Sequence, residues 1–351
     1  MNSENVSLFD QIQDDLRDLL SRDFYVLGEE TKHFEQEYAE YMGVKHCITV
    51  SSGTSALVLL LRACNLPQGS KVLVPAFTPI PTSMAIFEAG LIPEFVDVDR
   101  KSLTLDLDNL ERHIDPDVKA IIPVHIFGKL CALDNINQFA KTHNLKIVED
   151  ACQAVGSRHP NYSIAQFSVG AGMSFYPTKN LGCWGDGGAI LTNSNKLAEQ
   201  FIEMRHYGFD SNFESKSRGA NYRMDELQAL VLRKKLAKLE SHNISRRNLA
   251  NKWKRLLGEK GFQYLAEDEE HNYHVISYLC ENPYKKEAIR KIFKEVGIRY
   301  RFFYDYPVQA FGGLNLKPKF HLENCEWIAQ RVINLYESQE CFEAVSKVLK
   351  D

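Results

Sequence analysis

The chain has 351 residues, 44% of them hydrophobic and 25% charged, with a formal net charge of −4. That length fits a large domain joined to a smaller one, and the weak negative charge offers no field to draw the protein to nucleic acid or an anionic membrane. The eight cysteines form no C-x-x-C pair and the eleven histidines no H-x-x-x-H pair, so zinc and dithiol chemistry lack a pattern.

The first residues show no basic stretch followed by an apolar one, and the longest aliphatic run, residues 56–61, ends at Arg62. A membrane-spanning helix needs about 20 apolar residues, so the expectation is a cytoplasmic protein with no membrane insertion. From there β-rich runs alternate with helical ones. Residues 72–74 are apolar and β-branched before Pro75; 95–96 lead into Asp97; 121–126 end at Gly128; 146–148 end in Glu149-Asp150; 172–176 precede Lys179; and 189–192 follow a glycine cluster. Helical periodicity covers 55–64 and 133–143. This alternation predicts an α/β protein with a mostly parallel sheet between helices. A long helix is expected from about Asp225 to Trp253, then an α+β tail with a strand at 274–279 and helices at 286–296 and 323–336. The expected division is 1–240 for the large domain, with its N-terminal segment packing on the small one, and 241–351 for the small domain. Trp253 and Trp327 sit among aliphatics at helical spacing and read as core. The basic residues Arg246, Arg247, Lys252, Lys254 and Arg255 read as a solvated face.

Three segments carry chemistry. Val50 through Leu57 read as strand, tight turn and helix start, with Gly53, Thr54 and Ser55 at the turn. Free N–H groups and the helix dipole make such a turn an anion site, although plain capping by Ser or Thr explains the same residues. Neither a G-x-x-x-x-G-K-[ST] nor a G-x-G-x-x-G pattern is present there. Asp150 ends a strand, where functional groups of open sheets gather. It reads either as a structural carboxylate or as the partner of a protonated ring nitrogen. Lys179, among apolar and small residues, reads either as a solvated lysine or as a desolvated amine able to bond a carbonyl.

These segments, in order, resemble the DegT/DnrJ/EryC1/StrS family of sugar aminotransferases. Tyr25-Val26-Leu27-Gly28 with Phe34-Glu35 is similar to the family's opening signature, Ser52 to Leu57 to its phosphate turn, and Glu149 to Ala154 to its acid strand. Ser174-Phe175 with Lys179-Asn180 is similar to its lysine segment, Gly185 to Gly188 to its glycine turn, and Gly219 to Met224 to a later motif. The resemblance implies a pyridoxal-phosphate (PLP) enzyme of fold type I, cycling through pyridoxamine phosphate. Lys179 would carry the cofactor and shuttle the proton, Asp150 would hold the pyridinium nitrogen, and Gln153 would lie near the phenolic oxygen. Gly53, Thr54, Ser55 and Ser174 would hold the phosphate. Asn221 would reach the cofactor of the neighbouring subunit, making a homodimer the working unit, and Gly28 and Tyr304 would meet substrate.

The chain departs from the family pattern at Pro79, where an aromatic usually stacks on the ring, at Asp186 in place of Glu, and at Gln309 in place of His. The expected reaction moves an amino group from L-glutamate to a nucleotide-linked keto sugar. A dTDP- or UDP-4-keto-6-deoxyhexose is preferred, serving surface-polysaccharide (O-antigen) synthesis, with a 3-keto sugar as the close alternative. A PLP lyase or dehydratase, a non-catalytic binder and a purely structural α/β protein are the competing readings.

Overall fold

The computed structural model describes residues 2–258, 262–264, 271–295, 305–308, 317–335 and 339–350. In chain order the helices are α1 (Asn2–Gln11), α2 (Gln13–Ser21), α3 (Glu29–Met42), α4 (Gly53–Ala63), α5 (Ile80–Glu88), α6 (Leu133–Thr142), α7 (Asn195–Met204), α8 (Glu226–Leu236), α9 (Leu239–Gly258), α10 (Pro283–Glu295), α11 (Glu323–Ala329) and α12 (Gln339–Lys350). The strands are β1 (His46–Val50), β2 (Lys71–Pro75), β3 (Ile92–Val96), β4 (Val118–Ile121), β5 (Lys146–Asp150), β6 (Gly170–Ser174), β7 (Gly188–Thr192), β8 (Gln263–Tyr264), β9 (Ile276–Leu279) and β10 (Val332–Leu335).

Seven strands form one sheet in the order β1-β7-β6-β5-β4-β2-β3. The neighbours from β3 through β6 pair in parallel, and β7 runs antiparallel to both β6 and β1. This is the mostly parallel, mixed sheet that the sequence leads one to expect. Strands covered on both faces should be apolar throughout, and β6 and β7 are buried at every residue. Helix α4 is apolar nearly all round, with Leu57 to Leu61 all buried. It packs so closely on β6 that a Cβ at Gly172 would stand 2.9 Å from Leu57 Cδ2. β8, β9 and β10 form a second, antiparallel sheet. It shares a core with Leu249, Trp253, Phe293 and Val345, so Trp253 is fully buried as its spacing predicts. Val275, Leu279, Ile328 and Val332 join the core of the large sheet. Among the described residues no helix is long and apolar enough to cross a membrane.

Three expected elements differ. The strand expected at 121–126 ends at Ile121; Pro123 has no N–H to give the ladder, and only Val124 bridges onward, to Asp150. The long helix is two, α8 and α9, turning at Ala237-Lys238 so that Leu232 and Leu239 enter one core cluster. The helix expected over 323–336 stops at Ala329. Val332–Leu335 is buried at all four positions and forms β10, because a short apolar run fits a buried strand as well as a helix.

Candidate active site

Ser51 and Ser52 turn the chain from β1 into α4. Ser52 is the N-cap: its backbone is extended and its Oγ accepts a bond from Ser55 N at 3.1 Å. The Ser51 and Ser52 hydroxyls each lie 2.8 Å from Ser55 Oγ. Ser51 N donates to Tyr222 O at 2.8 Å, which lays the 219–224 motif beside the turn. Behind it, Glu35 accepts from Thr49 N at 2.8 Å and pairs with Arg205, fixing the strand that carries the turn. Gly53 is required by proximity: a Cβ there would meet Cys152 Sγ at 2.7 Å and Ser174 Cβ at 2.9 Å. The turn, the end of β5 and the end of β6 therefore converge at one point. Ser55 and Ser174 are buried there, and Thr54 is half-buried.

Successive side chains of β5 face opposite ways. Glu149 is fully buried, bound by Ala165 N at 3.0 Å, Ser168 Oγ at 2.5 Å and His125 Nε2 at 3.2 Å. Asp150, 4% exposed, accepts from Thr82 Oγ1 at 2.7 Å and Cys152 N at 3.1 Å. Its carboxylate is thus aimed and held. Lys179 follows β6 through a turn closed by Lys179 N to Tyr176 O at 2.8 Å, and its side chain is half-buried. Burial pushes its pKa below the usual 10.5, with Cys152 and Asp150 acting in the opposite direction. A lysine so disposed reaches its neutral, nucleophilic form more readily than a surface lysine.

Gln153 Oε1 accepts from Phe127 N at 2.8 Å, and its backbone oxygen accepts from Asn272 Nδ2 at 2.8 Å. Asn180 ties the lysine segment to the C-terminal part of the chain. Its Nδ2 donates to Asn243 Oδ1 and Asn272 O, both at 3.0 Å, and its Oδ1 lies 3.1 Å from His274 Nδ1. Asn221 is exposed on the motif beside the phosphate turn, and its Oδ1 accepts from Arg223 Nε at 2.9 Å. Gly28 N donates to the buried Glu226 at 2.8 Å, so that N–H is engaged within the chain. Glu226 also takes the N–H groups of Glu30 at 2.9 Å and Thr31 at 3.0 Å, capping α3 with a carboxylate. Tyr304 lies outside the described residues. The adjoining 305–308 segment is docked by Val308 N to Ala76 O at 3.0 Å and by Asp305 on Lys286 at 2.8 Å. Pro79, half-buried, caps α5.

The described geometry suits pyridoxal phosphate: a helix N-terminus opened by a glycine where any Cβ would press on Cys152 and Ser174, an anchored carboxylate, and a desolvated amine within its electrostatic reach. Thr82, His274 and Glu226 carried no signal in the sequence. Each is defined by partners from distant segments rather than by local pattern.

A family model described as the DegT/DnrJ/EryC1/StrS aminotransferase family matches residues 7–349. The erythromycin biosynthesis sensory transduction protein EryC1 of Saccharopolyspora erythraea is 38% identical over 86% of this chain and 83% of its own length. The dTDP-3-amino-3,4,6-trideoxy-α-D-glucose transaminase of Streptomyces venezuelae is 36% identical over 89% and 83%. A solved structure of S. venezuelae DesV in complex with a ketimine intermediate superposes with a TM-score of 0.89 at 31% identity, covering 98% of this chain and 97% of that one. With the motifs in order, the fold shared and the match spanning nearly the whole chain, the protein belongs to the DegT/DnrJ/EryC1/StrS family and is a pyridoxal-phosphate-dependent aminotransferase.

Proposed function

We propose that this aminotransferase moves the amino group of L-glutamate to the C3 ketone of a nucleotide-linked hexose, giving a 3-amino sugar nucleotide. The C4 ketone preferred from sequence gives way here to C3. Several relatives are named for amination at C3 of dTDP- or UDP-linked sugars, and such names are the support for that position. The observation that carries the reaction class is the half-buried Lys179, with its lowered pKa, in the same pocket as the anchored Asp150 and the Ser52–Ser55 turn.

Bound pyridoxal phosphate supplies an electron sink for the substrate carbon. The chain's own residues do the rest. The N–H groups at the start of α4, with Thr54, Ser55 and Ser174, hold the phosphate. Asp150 would keep the ring nitrogen protonated, an opposite charge favouring the charged form, with its carboxylate fixed in place by Thr82 and the Cys152 N–H. Gln153, fixed by the Phe127 N–H, would lie beside the ring's phenolic oxygen. Lys179 Nζ would be the amine that holds the cofactor, and its lowered pKa suits it to carry a proton to and from the substrate carbon as a general base and acid. Residues 1–240 form the cofactor domain and 241–351 the smaller one. A second copy supplies Asn221 to the neighbouring site, so the working unit is a homodimer.

The test is the visible spectrum of the PLP-loaded protein with L-glutamate, followed by a panel of 3-keto and 4-keto sugar nucleotides. Bleaching by glutamate and return of the yellow band with the 3-keto compounds alone is the expected result. Recovery with the 4-keto compounds alone would overturn the C3 assignment, and no bleaching would overturn the glutamate donor.

A further inference from the structure

Three hydrogen bonds around Asn180 settle which nitrogen of a nearby histidine carries its hydrogen. One terminal atom of the Asn180 amide lies 3.0 Å from the backbone oxygen of Asn272. A carbonyl oxygen only accepts, so that atom is the nitrogen, and it donates also to Asn243 Oδ1 at 3.0 Å. The other atom is therefore the oxygen, and it faces His274 Nδ1 at 3.1 Å. His274 Nδ1 must be the donor. In the neutral ring the single lone pair then sits on Nε2, which has no hydrogen-bond partner among the described residues, and the imidazole is half-buried. The ring stays neutral. Burial is the first cause, and Lys179, Arg246 and His271 all face it with positive or potentially positive charge, holding its pKa well below the usual imidazole range.

A locked acceptor held by the residue that follows the reactive lysine selects its ligand by chemistry. Its lone pair offers a carboxylate no hydrogen bond, so it does not favour the acid groups of the amino donor, and it pairs with a neutral donor. We propose that His274 determines specificity in the sugar half of the reaction, its Nε2 accepting a hydrogen bond from a hydroxyl of the nucleotide-linked sugar presented to Lys179. This rests on the sugar-amination function proposed above. Asn180 acts through His274 as a positioning residue, since it alone dictates the tautomer.

The two half-reactions separate the roles. The yellow PLP form of the full chain is mixed in single turnovers either with L-glutamate or with dTDP-3-amino-3,6-dideoxy-α-D-galactose, which runs the sugar half in reverse. His274→Ala should leave the glutamate half within about twofold of the wild type, while the half-saturating amino-sugar concentration rises on the order of ten- to a hundredfold, the loss expected of one well-placed bond. His274→Gln, which returns an acceptor oxygen at similar reach, should recover part of that loss. Independently of turnover, 15N NMR of the PLP-free protein should show His274 protonated on Nδ1 and bare on Nε2. An Nε2–H tautomer, equal damage to both halves in His274→Ala, or an undamaged sugar half in that variant would each overturn the proposal. A wild type that responds to glutamate but to no 3-amino or 4-amino sugar nucleotide would instead bring down the sugar-amination function, and the ligand assigned to His274 with it.

Discussion

Replacing Gly53 by alanine tests whether the phosphate turn depends on closeness rather than on backbone freedom. The added methyl would stand 2.7 Å from Cys152 Sγ and 2.9 Å from Ser174 Cβ, both inside ordinary contact. Overpacking of this kind costs about 1–3 kcal/mol. Alanine is the better helix former by up to about 1 kcal/mol, less at a first-turn position such as this one. The clash therefore wins, by about 1–2 kcal/mol. Because the strain falls on the turn itself, it should appear in cofactor affinity, weakening PLP binding roughly five- to thirtyfold. Titrating PLP into cofactor-free protein and following the visible band measures this. Adding Cys152→Ala removes the nearer contact and leaves the Ser174 one, so the double variant should recover part of the affinity. Wild-type affinity in Gly53→Ala, or no recovery in the double variant, would refute the argument.

Lys179→Ala should remove the visible band that survives dialysis and lower transamination by on the order of a thousandfold or more, measured in single turnovers with glutamate. In cofactor-free protein, Lys179 should be acylated by an amine reagent at lower pH than exposed lysines, read by peptide mass spectrometry, since its pKa lies below 10.5. With the folded value depressed, the unfolded chain holds the extra proton between that value and 10.5. The contribution of Lys179 to stability should thus rise with pH across that window, where urea midpoints of Lys179→Met should lack the same slope. Glu226→Ala strips the acceptor from three N–H groups and the Thr31 hydroxyl. It should destabilise the fold by about 2–4 kcal/mol, seen as a lower urea midpoint, and a loss under about 1 kcal/mol would show that water replaces the carboxylate.

The residues proposed to hold the cofactor were legible because they are local. The Ser52–Ser55 turn, the acid ending β5 and the lysine after β6 each sit within a few residues of a strand end, and the sheet brings strand ends together. The sequence could not show how they are held. Thr82 reaches Asp150 across 68 residues, and His274 reaches Asn180 across 94. Both contacts depend on tertiary placement, which leaves no periodicity to read. The errors in the tail have a different origin. Val332–Leu335 is too short for its apolar run to separate strand from helix, and the α8–α9 break occurs without proline or glycine, where helical spacing persists through the turn. The same limit applies to the carbon aminated, because the motifs describe the cofactor rather than the sugar.

The antiparallel pairing of β1 with β7 has a consequence for how the chain is made. His46 pairs with Thr192 and Val50 with Gly188, while the cap on α3 waits for Glu226, 198 residues beyond Gly28. The opening segment leaves the ribosome early but has nothing to pair with until most of the large sheet has emerged. Such distant contacts slow folding and prolong the exposure of unpaired apolar strands. Nascent chains cut short of residue 188 should therefore stay protease-sensitive through β1 and α4, and the gain of resistance should come in one late step rather than strand by strand.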